Sequence, residues 1–173
     1  MDKVRVIMIT YQGENFVQDQ LNSIVNQENL ESIHIYDDAS EKSFQNELKS
    51  YAKQADVPIQ VHLNPTNLGV IKNIQQALSQ HADAPYIALA DQDDLWYPGK
   101  LKATLKALKA IEDRDIPCLV YHDMDIIDEE GHKQPVTFWE SKRQTQYQHT
   151  FNTNLVSNVV TGSASIMNTA MST

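Results

Sequence analysis

The sequence predicts an α/β protein, a mostly parallel sheet flanked by helices on both faces. Three observations carry this expectation. Short β-rich runs alternate with stretches whose apolar residues recur at helical spacing through roughly the first 120 residues. The connections between them are short, as in strand–helix–strand units. Most of the early strand-like runs end in a polar cluster, most sharply where Tyr86–Ala90, five apolar residues, runs into Asp91, Asp93 and Asp94.

Taken in order, Val4–Ile9 is β-rich with Arg5 its only charge, and Thr10-Tyr11-Gln12-Gly13 breaks it. Val17, Leu21, Ile24 and Val25 fall on one helical face. Ile33–Tyr36 reads as a second strand, closed by Asp37-Asp38-Ala39-Ser40, and Phe44, Leu48, Tyr51 and Ala52 mark a second helix. Ile59–Leu63 is a third strand, and residues 64–69 form a turn by composition. Val70, Ile74, Ala77 and Leu78 give a third helix. The Tyr86 run follows Pro85, then Leu101, Leu105 and Leu108 line a helix starting near Pro98, and Pro117–Tyr121 is a fifth strand. Beyond it, Met124–Ile127 reads as a strand turning at Asp128–Gly131. Polar residues 140–154 read as a long mobile loop. Val159–Met167 reads as a last strand or a turn into a helix.

Right-handed crossovers make successive parallel strands point one way. Thr10-Tyr11, Asp37-Asp38 and Asp91–Asp94 are therefore expected on one edge, the carboxyl edge where open α/β sheets bind ligands.

Bulk properties narrow the function. The 173 residues suffice for one domain with a real core. The net charge is 14 − 23 = −9, which argues against nucleic acid, whose phosphates select basic surfaces. One cysteine, Cys118, precludes an intramolecular disulfide and fits a reducing compartment. Its strand-like setting makes it a buried small hydrophobe rather than a nucleophile. No apolar run approaches a membrane span, and the N-terminus lacks a signal-peptide core.

Like charges as close as Asp91, Asp93 and Asp94 are tolerated best when a cation or proton neutralises them. Mg²⁺ typically takes one or two carboxylates plus substrate phosphates. The plainer reading is a solvated acidic turn, and Asp94 fits a helix N-cap. Trp96 reads as a core anchor. Asp37-Asp38 fits equally an Asx-type turn or a contact to a ribose or base. Gly13 stands alone, with neither a GxGxxG nor a P-loop pattern around it. His122, Asp123 and Asp125 hint at a metal cluster but lack the glycine and glutamate of an EF-hand. His122 reads instead as a satisfied loop histidine and His34 as structural. Neither GxSxG nor HExxH occurs.

The ordered set of these stretches resembles glycosyltransferase family 2, a GT-A fold group with a Rossmann-like sheet and nucleotide-sugar donors. Carrying the resemblance are Val6–Tyr11, Glu14, Ile35–Ser40, Asn67-Leu68-Gly69 with Lys72-Asn73, Asp91–Trp96 with Pro98 and Lys100-Leu101, and Thr161–Ala164. The match spans nearly the whole chain, and the Asp-Gln-Asp-Asp-Leu-Trp wording is similar to rhamnosyltransferase-like branches of bacterial surface-polysaccharide synthesis.

The resemblance implies that Thr10, Tyr11 and Glu14 frame the nucleotide, that Asp38 hydrogen-bonds the base, and that Asp37 supports it. It implies that Asp91 faces the ribose and metal, that Asp93 is the main ligand of Mg²⁺ or Mn²⁺, and that Lys72 lies near the diphosphate. Gly162 would shape the acceptor side. Within a single domain, about 1–121 would be the donor-binding half and about 122–173 the start of the acceptor-side half. The implied donor is a UDP- or dTDP-sugar, and the implied acceptor a glycan, free or lipid-linked, at the cytoplasmic face of the cell membrane. Peripheral membrane attachment would come from residues outside this chain. Transfer would invert the sugar, and the general base would come from an acidic motif beyond Thr173, so the domain reads as C-terminally incomplete. The rivals are a non-catalytic nucleotide-sugar-binding module and a sugar-nucleotide nucleotidyltransferase. The latter needs Arg and Lys in a glycine-rich loop after the first strand, and Thr10–Glu14 has neither.

Overall fold

A computed structural model describes residues 2–113, 116–143 and 160–169. The first four strands are β1 (Val4–Thr10), β2 (Leu30–Asp37), β3 (Ile59–Leu63) and β4 (Tyr86–Asp91), separated by α1 (Val17–Val25), α2 (Lys42–Gln54) and α3 (Val70–Ser79). Then come α4 (Lys100–Ile111), β5 (Leu119–Tyr121), β6 (Asp125–Ile127), β7 (Lys133–Thr137), α5 (Phe138–Ser141), a 3₁₀ turn at Gly162–Ala164 and β8 (Ser165–Asn168). The main sheet has the order β3-β2-β1-β4-β8-β5, and β6 and β7 form a separate hairpin. β1 pairs in parallel with β2 and β4, and β2 with β3, while β8 runs antiparallel between β4 and β5.

Alternation along the strands sends residues to two cores, as period-2 geometry requires. Val4, Val6, Met8, Ile33, Ile35, Tyr86 and Ala88 face the larger one, against Leu21 and Ile24 of α1, Phe44 and Leu48 of α2, and Leu101, Leu105 and Leu108 of α4. Ile7, Tyr36, Ile87 and Leu89 face the other, against Ala77 of α3. Helices thus cover both faces, three on one and α3 on the other. Trp96 is buried in the larger core, as its sequence setting suggested, and half-buried Cys118 packs against that core.

Several expectations are corrected. β2 begins at Leu30, earlier than the Ile33 run, because Val4 and Leu30 pair across the sheet. Asp94 is no N-cap: α4 starts after Gly99, whose φ of +80° is a left-handed conformation that glycine adopts without steric cost. Val70 does not face the core, since it is 63% exposed. The first turn of α3 buries Asn73 instead, whose amide donates to the Tyr36 carbonyl at 3.0 Å. The turn at Asp128–Gly131 leads into β7, which sequence reading omitted. Of the loop expected over 140–154, residues 144–154 lie outside the described residues, as does Val159 of the expected last element; residues 140 and 141 end α5. No helix among the described residues is long and apolar enough to cross a membrane.

Candidate functional site

Register across the three central strands assembles the expected edge. Thr10 pairs with Asp37, and Ile9 pairs with Asp91, so three strand ends stop side by side. The loops beyond them are tied together. Tyr11 N donates to Gln92 Oε1 at 2.8 Å, and Gln92 Nε2 donates to Tyr11 O at 3.0 Å. A Cβ on Gly13 would stand 2.4 Å from Gln92 Oε1, so the glycine makes room for this clasp. Gln20 Nε2 donates to the Asp91 carbonyl at 3.0 Å.

The two acidic groups at this edge differ sharply. Asp37 is buried and accepts from Thr10 Oγ1 (3.3 Å), Ser40 N (3.0 Å), Ser40 Oγ and Gln45 Nε2 (3.1 Å). Asp38, only 3% exposed, accepts from Asn64 Nδ2 (3.0 Å), Leu68 N (2.8 Å) and Gly69 N (2.8 Å). Its charge is solvated by protein donors, as a buried carboxylate requires, and it holds the Asn67–Gly69 loop that leads into α3. Tyr11, Glu14 and Lys72 are exposed around this edge.

Asp91, Asp93 and Asp94 instead border an open cleft of about 1340 Å³, which Trp96, Lys100 and Ser163 also line. None of the described residues donates a hydrogen bond to Asp93. Asp91 keeps open surface on the cleft, yet surrounding atoms crowd it, and this burial foremost raises its pKa. The charges of Asp94 and Asp93 add to the rise, while a hydrogen bond from Ser163 and the charge of Lys100 oppose it. Lys100 Nζ donates to Ser163 O at 2.7 Å and stands 3.8 Å above the Trp96 ring. Burial pushes its pKa down to about 8 against the pull of Asp94 and Asp91. Trp96 Nε1 is buried without a hydrogen-bond partner among the described residues. His122, expected to be satisfied, has Nδ1 2.7 Å from Asp123 O but Nε2 buried with no partner among those residues.

The cleft therefore joins Asp91 and Asp93 to the Thr161–Ser163 segment, where Gly162 opens the 3₁₀ turn. A Cβ on Gly162 would meet Leu89 Cδ1 at an ordinary 3.6 Å, so the backbone there tolerates alanine. Thr10, Tyr11, Glu14, Asp37, Asp38 and Lys72 do not line this cleft. Asp123 and Asp125 serve the hairpin: Asp123 accepts from Met124 N and Trp139 N, and Asp125 from Tyr97 Oη and Lys133 Nζ.

The donor chemistry at β4 suits a hard divalent cation, which prefers carboxylate oxygens. The three acids do not converge as a closed cage. Among the described residues, the sets of three that bring ligand atoms within 4.8 Å of one another are His34/His62/His81 and Asp128/Glu130/His132. An open pair of carboxylates sharing a cation with substrate phosphates fits this layout. Sequence reading missed Gln20 and Gln92 and assigned no role to Lys100 or Ser163. Gln92, between Asp91 and Asp93, gave no chemical signal of its own.

The profile of the family described as "Glycosyl transferase family 2" matches residues 5–171. The chain is 32% identical over 107 residues to the dTDP-rhamnosyl transferase RfbG of Shigella flexneri, covering 58% of this chain and 36% of that protein. Its fold is similar to S. aureus TarS 1-349 in complex with UDP, at TM-score 0.69 and 21% identity, covering 98% of this chain and 47% of that one. It is similar also to the mannosyltransferase PcManGT of Pyrobaculum calidifontis in complex with GDP-Man and Mn²⁺, at TM-score 0.60 and 21% identity, over 73% of this chain and 36% of that one. The fold is GT-A, and the chain spans less than half the length of each of these three proteins.

Proposed function

The chain belongs to glycosyl transferase family 2, and on that footing we propose that it is the donor-binding part of a metal-dependent glycosyltransferase. It takes a nucleotide-diphosphate sugar, rhamnose being one candidate, and passes the sugar to a growing glycan or lipid-linked acceptor of the cell envelope. The single observation carrying this reading is the open acidic end of β4, in register with Thr10 and Asp37 and facing the cleft that Ser163 also lines. The matched RfbG, named for dTDP-rhamnosyl transfer, supports a dTDP-linked donor, the UDP bound by the similar TarS supports a UDP-linked one, and the Mn²⁺ bound by PcManGT supports Mg²⁺ or Mn²⁺.

In this proposal Asp93 and Asp91 hold the cation, which offsets the charge growing on the leaving diphosphate. Tyr11 and Glu14 flank the nucleotide from the β1 loop, with Thr10 setting the strand end and Lys72 approaching from α3. Asp37 and Asp38 act mainly by fixing the loops beside it. A direct base contact by Asp38 requires it to share an oxygen already engaged by Asn64, Leu68 or Gly69. Thr161–Ser163 borders the acceptor side, with Gly162 at its turn. An inverting transfer also needs a general base within reach of the acceptor hydroxyl, and work at the inner face of the cell membrane fits the acceptor class. The second reading, a nucleotide-sugar-binding module without catalysis, shares the donor site and differs in turnover by a longer chain.

Thermal shift with Mn²⁺ plus UDP, dTDP, GDP or ADP tests the donor site. A ligand at 100 times its Kd contributes about 2.7 kcal/mol, which for this size raises Tm by roughly 5–10 °C. A Mn²⁺-dependent rise with UDP or dTDP is expected. No rise with any nucleotide, in folded protein, overturns donor binding.

A further inference from the structure

A second cluster of ligand-bearing side chains lies away from the acidic cleft, on the α3 face of the sheet. His34 stands on β2 and His62 on the neighbouring β3, while His81 lies just after α3. We propose that His34, His62 and His81 form a binding site for a divalent transition metal of the zinc type, clipping β2 and β3 to the segment that links α3 and β4.

The geometry carries this proposal. One nitrogen from each ring lies within 4.8 Å of the others. His34 Nδ1 and His62 Nε2 are 3.4 Å apart, a long hydrogen bond. That is also the spacing of two imidazole nitrogens sharing one tetrahedral zinc ion at about 2.0–2.1 Å, namely about 3.3–3.4 Å. Imidazole nitrogens suit Zn²⁺, whereas the acidic end of β4 suits Mg²⁺ or Mn²⁺. His34 and His81 are 6% exposed and His62 is half-buried, which leaves a route for the ion from the His62 side.

The surroundings are built for neutral rings. Burial lowers the pKa of all three histidines, that of His34 to about 4, so each offers a lone pair at neutral pH. Ser32 Oγ lies 3.1 Å from His34 Nε2 and orients that ring through the nitrogen facing away from His62. His81 is held by Arg5 Nη1 at its Nδ1 (3.1 Å) and by Tyr36 Oη at its Nε2 (2.9 Å). Coordination takes one of these nitrogens. Either former partner stays satisfied, because Arg5 keeps Asp83 at 2.8 Å and Glu31, and Tyr36 Oη donates to Gln80 at 2.8 Å. Asp83 and Glu31 offset the nearby Arg5 charge in part, although Arg5 acts more strongly on His34 and His81 than Asp83 does.

The test uses the chain carrying Asp93→Ala and His132→Ala, which removes the main acidic ligand and the other compact set of potential ligands, stripped with chelator and titrated with Co²⁺. One equivalent is expected to give the intense visible absorption of tetrahedral Co²⁺, and Zn²⁺ is expected to displace it. Zn²⁺ at 100 times its Kd is expected to raise Tm by roughly 5–10 °C. Both signals should vanish in His62→Ala, a half-buried site; should that variant fail a circular-dichroism check of folding, His62→Gln replaces it. No absorption and no Zn²⁺ shift overturns the site and leaves three hydrogen-bonded core histidines. Signals that survive loss of His62 equally overturn it.

Discussion

Asp37/Asp38 and Asp91/Asp93 close β2 and β4, the two strands that flank β1 at one sheet edge, yet they are in opposite states. The first pair is buried and saturated by donors from Thr10, Ser40, Gln45, Asn64, Leu68 and Gly69. The second is open to the cleft, and the pKa of Asp91 is raised by crowding and by its acidic neighbours. The same residue type serves the fold at the end of β2 and is left only partly compensated at the end of β4, where Ser163 and Lys100 offset some of the Asp91 charge. A carboxylate that its own protein has not neutralised is the one positioned to take a cation.

The comparison is broken most forcefully by exchanging stability for binding. Asp38→Ala deprives Leu68 N and the Asn64 amide of a buried acceptor and leaves Gly69 N with Asn67 Oδ1 alone. It should cost about 3 kcal/mol and lower Tm by roughly 6–12 °C. Asp93→Ala should stay within about 0.5 kcal/mol of the parent, as an exposed group with no hydrogen bond from the described residues. Comparable losses from both variants in a denaturant melt would erase the distinction.

A smaller loss is expected from Gly13→Ala, about 1–2 kcal/mol, because its Cβ would push Gln92 from its two bonds to the Tyr11 backbone. The change should weaken nucleotide binding as well, which titration calorimetry reads. Smaller still, and opposite in sign, Asp91→Asn should raise the Tm of metal-free protein by roughly 1–3 °C, since it removes a charge the folded state disfavours.

Acid separates the two faces of the sheet. His34 has a folded pKa near 4, below its ordinary 6.5. Its contribution is present above pH 6.5 and is lost as pH falls toward 4, because the unfolded chain takes up the proton first. His62 and His81 act in the same direction. Asp91, raised, acts oppositely, and its destabilising charge is relieved as pH falls through its folded pKa. Metal-free protein should therefore lose Tm between pH 6.5 and 4, while the gain from Asp91→Asn shrinks over the acid limb. A pH-independent gain would remove the electrostatic cause assigned to it.

Much of this was legible in the sequence because periodicity and strand ends are local. Thr10, Asp37 and Asp91 could be placed together from strand direction alone, and the register bears out that placement. Which acids remain open could not be read, since Asp38 is satisfied by Leu68 N and Gly69 N from a loop about thirty positions away. A last strand was one of the two readings of Val159–Met167, but its antiparallel entry between β4 and β5 from the far end of the chain was hidden. On α3, Ile74, Ala77 and Leu78 face the core as read, and Val70 alone departs, its place near the core taken by a buried Asn73 bonded to Tyr36 O.

The central claim, that the open acids of β4 hold the cation and donor diphosphate, is tested most directly by calorimetric titration of UDP or dTDP in Mn²⁺. Parent and Asp93→Ala, shown to have matching Tm values, are compared. Saturable Mn²⁺-dependent binding in the parent, weakened at least tenfold in Asp93→Ala, is the predicted result. Equal affinity in both proteins would contradict it.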